Sequence, residues 1–450
     1  MSDDRLRVFT FNCWGLKYVS KNRAERISAI ADALVASDYD LITLQEVWVF
    51  ADYELIRAAV SKRLPYSKFF YSGAFGAGLA ILSRFPIIAT TIHSYTLNGS
   101  PIDVIQGDWF VGKAAGSALI AHPILGQVQV FDTHLYAPGG DSGPIHQQAH
   151  RYVNAWEFAK LTRQAADVGR YVIAAGDFNS IPSSVPMAII REHAGLTDAW
   201  VATHPNAPVQ TLAGPSPALT SPHDAIRLYG VTADSPLNTY SAGKHLEPVA
   251  RKYQGKRLDY IFYRQPSISP PSGRNPILKC VDTNVVFTQT IPRANFSFSD
   301  HFGVEATFEI SRPENGDIET HVAALAEPGS VLNSSSIPNP SLSPDSINRT
   351  LSSLTSRYRY AQHRGRSQLT VFGSCTSVII FMALGSAWLP QSWINPIFVV
   401  ATIFLSWLAT TMFYVGFVYT KWEANALTNV IEELEIYRDS LEGLNGRNEL

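Results

Sequence analysis

The sequence predicts one α/β domain over about residues 5–311 and, behind it, a two-helix transmembrane hairpin. Three observations carry that reading. Short runs of β-forming residues recur from Arg5 to Ile310 and end in polar clusters. In the first half these runs alternate with segments of helical spacing, the pattern of βαβ units. Between Arg366 and Lys421 the chain has no Asp, Glu, Lys or Arg. Pro390 divides that stretch into 369–389 and 394–420, each as long as the ~20 apolar residues that cross a bilayer.

Residues 5–12 read as the first strand, with Leu6, Val8, Phe9 and Phe11 before Asn12-Cys13-Trp14-Gly15 breaks it. Ile27, Ile30 and Leu34 recur at helical spacing from Arg23 onward, and 40–44 is a second strand ending at Gln45-Glu46. Asn12 and Glu46 thus stand at carboxyl ends of strands, where open sheets collect ligands. A helix over 53–64 and a strand over 78–83 follow. Strand 127–134 ends in Thr133-His134, and helix 147–162 leads to Tyr171-Val172-Ile173-Ala174. That run delivers Ala175-Gly176-Asp177-Phe178-Asn179 to the mouth of the sheet.

After Trp200 the chain is rich in Pro, Ser and Thr, and 201–255 is expected to be an insertion built largely of mobile loop. Strand 257–263 carries Asp259 among Leu258, Ile261 and Phe262, where a charge needs a partner. Strand 303–310, preceded by Ser299-Asp300-His301, closes the domain. Residues 312–356 are Pro/Ser/Asn-rich and read as a flexible linker. In 357–368, Arg357, Arg359, Arg364 and Arg366 stand without an acid directly before the first span. Such a run marks the cytosolic side and meets anionic lipid, each cation contributing ~1 kcal/mol. The acidic tail 421–450 has an apolar stripe of Leu427, Ile431, Leu434 and Leu441, which is either a packing helix or an oligomerisation seam.

Charge narrows the function. With 36 Lys and Arg against 38 Asp and Glu, the net charge of −2 gives no basic field for nucleic acid. Cys13, Cys280 and Cys375 show no CxxC pairing, so no thiolate metal site is expected. The N-terminus has no apolar core, so no cleaved signal peptide is expected. Gly107-Asp108-Trp109-Phe110-Val111-Gly112-Lys113-Ala114 nearly matches a Walker A loop, but Ala114 replaces the hydroxyl that would hold Mg²⁺, which argues against an ATP site. Lys113 is then either a phosphate contact or a solvated strand residue. Asn12, Glu46, His134, Asp177, Asn179, Asp259, Asp300 and His301 supply carboxylates, amides and imidazoles. Hard oxygens select Mg²⁺ or Mn²⁺, and imidazole paired with carboxylate makes a general base. That inventory suits metal-assisted hydrolysis of a phosphate ester.

Six motifs then occur in a recognisable order: Phe9-Thr-Phe-Asn-Cys-Trp-Gly15, Leu44-Gln-Glu-Val-Trp48, Thr133-His-Leu135, Gly176-Asp-Phe-Asn179, Arg257-Leu-Asp-Tyr260 and Ser299-Asp-His301. They resemble the endonuclease/exonuclease/phosphatase (deoxyribonuclease-I-like) superfamily. With Asn12-Cys-Trp-Gly-Leu16, the 107–113 stretch and the hairpin, the chain resembles more narrowly the neutral sphingomyelinases and inositol phosphosphingolipid phospholipases C.

The resemblance implies a four-layer α/β sandwich, two mixed sheets face to face with helices outside. It implies that Glu46 binds Mg²⁺, with Asp300 near the metal and Asn12 supporting metal and phosphate. His301 would be the base, held by Asp259, with Asp177 orienting the nucleophile. Asn179 and His134 would hydrogen-bond the phosphoryl oxygens, and Lys113 would engage substrate under the control of Asp108. The implied reaction releases ceramide and a phosphorylated head group from sphingomyelin or an inositol phosphosphingolipid. The resemblance implies that bilayer substrate as partner; the four arginines predict an anionic phospholipid activator, the hairpin or tail offers a seam for a second copy, and no nucleic acid is expected. Cations before the first span place the catalytic domain in the cytosol, on endoplasmic reticulum, mitochondrial outer membrane or plasma membrane. A membrane-anchored phosphatase or nuclease of the same superfamily is the alternative, and a non-catalytic lipid-binding scaffold is a third reading.

Overall fold

The computed structural model describes residues 3–104, 107–219, 221–268, 275–312, 341–388 and 391–448, with side chains to 442. Two six-stranded mixed sheets lie face to face. The first contains β1 (Arg5–Asn12), β2 (Leu41–Gln45), β3 (Tyr66–Phe70), β4 (Leu79–Ser83), β11 (Ile277–Val286) and β12 (Gly303–Ser311), in the order β11-β12-β1-β2-β4-β3. The second contains β5 (Ile87–Ser94), β6 (Ala114–His122), β7 (Gly126–His134), β8 (Tyr171–Asp177), β9 (Thr197–Asp198) and β10 (Asp259–Arg264), in the order β5-β6-β7-β8-β10-β9.

Central strands read as continuous apolar runs because both of their faces are covered. Val8, Leu41, Ile81 and Phe308 of one sheet meet Val130, Ile173 and Ile261 of the other. Helices Arg23–Val35 and Phe50–Val60 place Ile27, Ile30, Leu34 and Ile56 over Phe9, Phe11 and Leu44. Helix Ile145–Asp167 lays Val153, Trp156 and Phe158 over Val172, Ala174 and Phe262. The four layers expected from the resemblance are therefore present.

Register brings the strand ends together. β1 and β2 run parallel with Asn12 beside Gln45, so Glu46 follows at the same edge. β8 runs parallel to β7 and antiparallel to β10, which sets Asp177 beside His134 on one side and Asp259 on the other.

Three expectations need correction. Much of the stretch 201–255 beyond residue 221 is built structure, with helices Pro222–Tyr229 and Pro248–Tyr253 after Ala199–Thr203, while 204–219 is irregular. Its Tyr229, Val231, Ala233, Val249 and Tyr253 form a small core with Ile181 and Leu258. Pro222 and Pro248 open helices at a first position that needs no N–H, so proline there starts structure instead of breaking it.

The expected linker is helical from Pro344, at the head of helix Pro344–Gly385; residues 313–340 lie outside the described residues. Ser343 caps it by accepting from Ser346 N, Pro344 begins it, and Asp345 sits in its first turn. Buried Ile347 and Leu354 dock it on helix Ile145–Asp167, where Leu427, Val430 and Leu434 of helix Thr420–Asn448 also pack. The apolar stripe of the tail is thus spent inside the chain.

The basic run is the third correction. Arg357 is buried, its Nε and Nη2 each 2.7 Å from Glu423 Oε1, and Arg364 pairs with Asp103 at 2.7 Å. Arg359 and Arg366 stay exposed, so only half of the run is free for lipid.

Beyond these docked segments, helix Pro344–Gly385 and helix Ile394–Phe413 carry two stretches long and apolar enough to cross a membrane. Their Phe381, Phe404 and Trp407 side chains are exposed. Leu389 and Pro390, at the expected turn, lie outside the described residues.

Candidate active site

Asn12 is the hinge of the site. At the end of β1 its buried Nδ2 donates to Glu46 Oε1 at 3.2 Å and to Asp177 Oδ2 at 3.0 Å, so one amide joins carboxylates from the two sheets. Trp14 N donates to Asn12 Oδ1 at 3.0 Å, which fixes which end of the amide faces them. Glu46 leaves its strand in the left-handed region at φ 56. The turn brings its carbonyl against Gly15, whose N–H donates to it at 2.8 Å; a Cβ on Gly15 would stand 2.5 Å from that oxygen. Glycine is required there by contact.

Asp177 Oδ1 accepts from Asn179 N at 2.9 Å, while Oδ2 lies 3.4 Å from His134 Nε2 and 3.9 Å from His301 Nε2. Asn179 Nδ2 donates to Leu135 O at 3.0 Å, placing its amide beside His134. Lys113 Nζ is 2.8 Å from Asp108 Oδ1 and donates to His134 Nε2 and Leu135 O, both at 3.0 Å. The Asp108–Lys113 pair of the near-Walker stretch therefore belongs to this site. Burial and the adjacent Lys113 ammonium push His134 down to about 3, so its ring is neutral.

His301 donates from Nδ1 to Asp259 Oδ2 at 2.8 Å. Burial acts to discharge the ring, but the Asp259, Asp177 and Asp300 carboxylates outweigh it and hold His301 well above the usual imidazole value. Asp259 rises under burial, offset by His301. The Ser299 hydroxyl donates to Asn12 O at 2.7 Å and so fastens the Asp300-His301 turn to the end of β1.

The donor set fits a hard divalent cation. Burial and the neighbouring Asp300 push Glu46 up to about 7, the mark of like charges gathered without enough positive charge. Asp259 Oδ1 is also buried with no hydrogen-bond partner among the described residues. Asp177, Asp259 and His301 offer ligand atoms within 4.8 Å of one another, a second convergence that the His301–Asp259 hydrogen bond already accounts for.

The structure brings together every catalytic, metal and substrate residue expected from sequence, apart from the four arginines. It adds supports that sequence reading missed. Thr232 Oγ1 accepts from the backbone N–H of Leu258 and Asp259, and Asn238 Nδ2 donates to Ser299 O at 2.8 Å; both lie in the stretch read as loop. Buried Arg26 donates to the carbonyls of Cys13, Trp14 and Phe298, tying the Asn12 turn to the Ser299 turn. Its signal was an arginine directly before Ile27, on the apolar face of a helix.

A family model described as the Endonuclease/Exonuclease/phosphatase family matches residues 9–301, and the chain belongs to that family. Its relatives define the branch. The chain is 35% identical over 438 residues to the inositol phosphosphingolipids phospholipase C of Schizosaccharomyces pombe, covering 96% of this chain and 93% of that protein. It is 34% identical over 330 residues to the protein of the same description in Saccharomyces cerevisiae, covering 68% and 64%. Against sphingomyelin phosphodiesterase 2 of Homo sapiens it is 32% identical over 326 residues, covering 72% and 70%.

Proposed function

We propose that this chain is a membrane-held, Mg²⁺-dependent phosphodiesterase of the phospholipase C type, acting on inositol phosphosphingolipids or sphingomyelin to give ceramide and a phosphorylated head group. The observation that carries the reading is the His301–Asp259 pair set across Asp177 from Lys113 and His134, in a chain whose relatives bear those two names.

Asp259 accepts the Nδ1 proton, which leaves Nε2 of the neutral ring as the basic atom. Nε2 takes a proton from water as the water oxygen bonds to phosphorus and the P–O bond on the ceramide side breaks; the leaving ceramide oxygen takes a proton from solvent, and His301 returns its own to solvent. Asp177, beside Nε2, orients that water. Lys113 and Asn179 are read as the donors to the phosphoryl oxygens as these gain charge, with the neutral His134 ring accepting from Lys113 and holding its ammonium in place; donors fixed in advance lower the barrier most there. Glu46 and Asp300, with Asn12 in support, would hold the Mg²⁺, which supplies positive charge to polarise the phosphoryl group. A cation held there would offset the Asp300 carboxylate, one of the charges that keep His301 protonated, and so would favour the neutral ring that a base needs.

The two apolar stretches are read as spans with the catalytic domain on the cytosolic side, and Arg359 and Arg366 as the anionic-lipid contacts. The test is turnover of sphingomyelin and inositol phosphoceramide by detergent-purified protein. Ceramide release that stops with chelator is the expected result; no ceramide from either lipid would overturn the reading.

A further inference from the structure

We propose that Phe75, Val104, Trp109 and Phe110 form a wedge that enters the bilayer beside the hairpin and presents lipid head groups to Lys113. This rests on the membrane-hydrolase reading above and deepens it.

Residues 71–78 and the segments 99–104 and 107–112 make one platform. Ala74 N and Phe75 N both donate to Phe110 O, at 2.9 and 3.1 Å. The backbones of Gly73 and Gly112 abut so closely that a Cβ on either would come within 2.7 Å of the other. Phe75 lies tilted beside Phe110 with centroids 6.2 Å apart, and Trp109 meets Phe110 edge-on at 5.0 Å. Phe75 and Val104 are 62% and 63% exposed, large apolar side chains held in water on a rigid base.

The hairpin sets the height of this platform. Tyr419, in the π-helical segment Tyr414–Tyr419 that joins helix Ile394–Phe413 to helix Thr420–Asn448, donates its hydroxyl to Gly99 O, and a Cβ on Gly99 would lie 3.8 Å from Trp109 N. Arg364 pairs with Asp103, the residue before Val104, and Arg366 is the last charge before the apolar stretch. Val104 and Trp109 therefore stand level with the point where the chain enters lipid. A bilayer is the partner this geometry fits, because the platform continues the membrane-facing end of the hairpin. Trp109 and Phe110 lie between Asp108 and Lys113, which pair with each other in the site, so a head group beside the wedge lies next to the site.

The test uses the full chain in phosphatidylcholine/phosphatidylserine vesicles, with an environment-sensitive NBD label on a cysteine placed at Phe75, Val104 or Ile88. The native cysteines are buried. Ile88 is an exposed control on β5, about 20 Å along the strand from Ser94, whose hydroxyl bonds Ser72 at the platform. Labels at 75 and 104 should be quenched by lipid-borne nitroxide and shielded from aqueous iodide, and the label at 88 should do the reverse. Labels at 75 and 104 that behave like 88 would overturn the proposal.

Phe75→Asp with Val104→Asp should lower turnover of vesicle substrate about tenfold or more and leave turnover of a water-soluble short-chain analogue unchanged. Equal vesicle turnover, or equal loss on both substrates, would also overturn it. If the parent protein hydrolyses neither lipid, the functional reading fails while the label positions still decide the wedge.

Discussion

At the residue scale, the hydrogen bond from His301 Nδ1 to Asp259 Oδ2 fixes which nitrogen faces the substrate. Asp259→Asn keeps the volume but can present a donor to the ring, and the wrong tautomer in a comparable dyad costs ~10⁴ in kcat. A loss of about 10³–10⁴ in turnover with an unchanged far-UV spectrum is expected; activity within tenfold of the parent would remove Asp259 from this role.

Glu46 gives a pH prediction with a definite sign. Its folded value of about 7 lies above the ordinary 4.5, so between these values the folded chain holds a proton that the unfolded chain has lost. Stability from this group therefore falls as pH rises toward 7. His301, also raised, adds a slope of the same sign above its ordinary 6.5. Mg²⁺ should raise Tm more at pH 8 than at pH 5.5, and Glu46→Gln should raise the chelated protein's Tm at pH 8 and remove most of the Mg²⁺ increment. Equal increments in parent and variant would contradict the assignment of Glu46.

Much of this site was legible in sequence because Asn12, Glu46, His134 and Asp177 end or directly follow runs of β-formers, and Asp259 and Asp300-His301 open or precede others, a local signal that survives without coordinates. Arg26, Thr232 and Asn238 were not, because their work is to bond backbone carbonyls and amides far away in sequence, which no spacing records.

At the element scale, the C-terminal helices are part of the catalytic domain's packing. Gly99 N donates to His150 Nδ1 at 2.8 Å, which leaves the Nε2 proton to donate to Glu423 Oε1, also at 2.8 Å. Glu423 in turn holds Arg357. Burial alone would raise Glu423, but His150 and Arg357 hold it below the usual carboxylate range. Breaking a buried pair by removing one partner leaves an uncompensated charge, a cost of ~3–5 kcal/mol. Glu423→Ala should therefore lower Tm by several degrees in detergent and speed proteolysis within 344–357; an unchanged melt and digest would show that this lock is not what docks the helices.

The reading of 312–356 as linker failed at 344 because the start signal, Ser343-Pro344-Asp345, sits in a Pro/Ser-rich stretch whose composition outweighed it. The reading of Arg357 and Arg364 as lipid contacts failed because their partners, Glu423 and Asp103, are distant in sequence.

At the scale of the whole molecule, the proposed function would have a sandwich beside two apolar helices bring its site to the plane in which a sphingolipid and ceramide both reside. Holding the domain there raises the effective concentration of substrate without any new contact. Near-neutral overall charge fits that proposal, since a substrate that arrives by lateral diffusion would need no long-range steering.

The central claim is that water activated at His301 attacks phosphorus. The most direct test is hydrolysis in ¹⁸O-water with Mg²⁺, followed by mass analysis of both products. The account predicts ¹⁸O in the phosphorylated head group, none in the ceramide, and no label in either with His301→Gln. Label in the ceramide hydroxyl, or undiminished incorporation by the His301 variant, would contradict it.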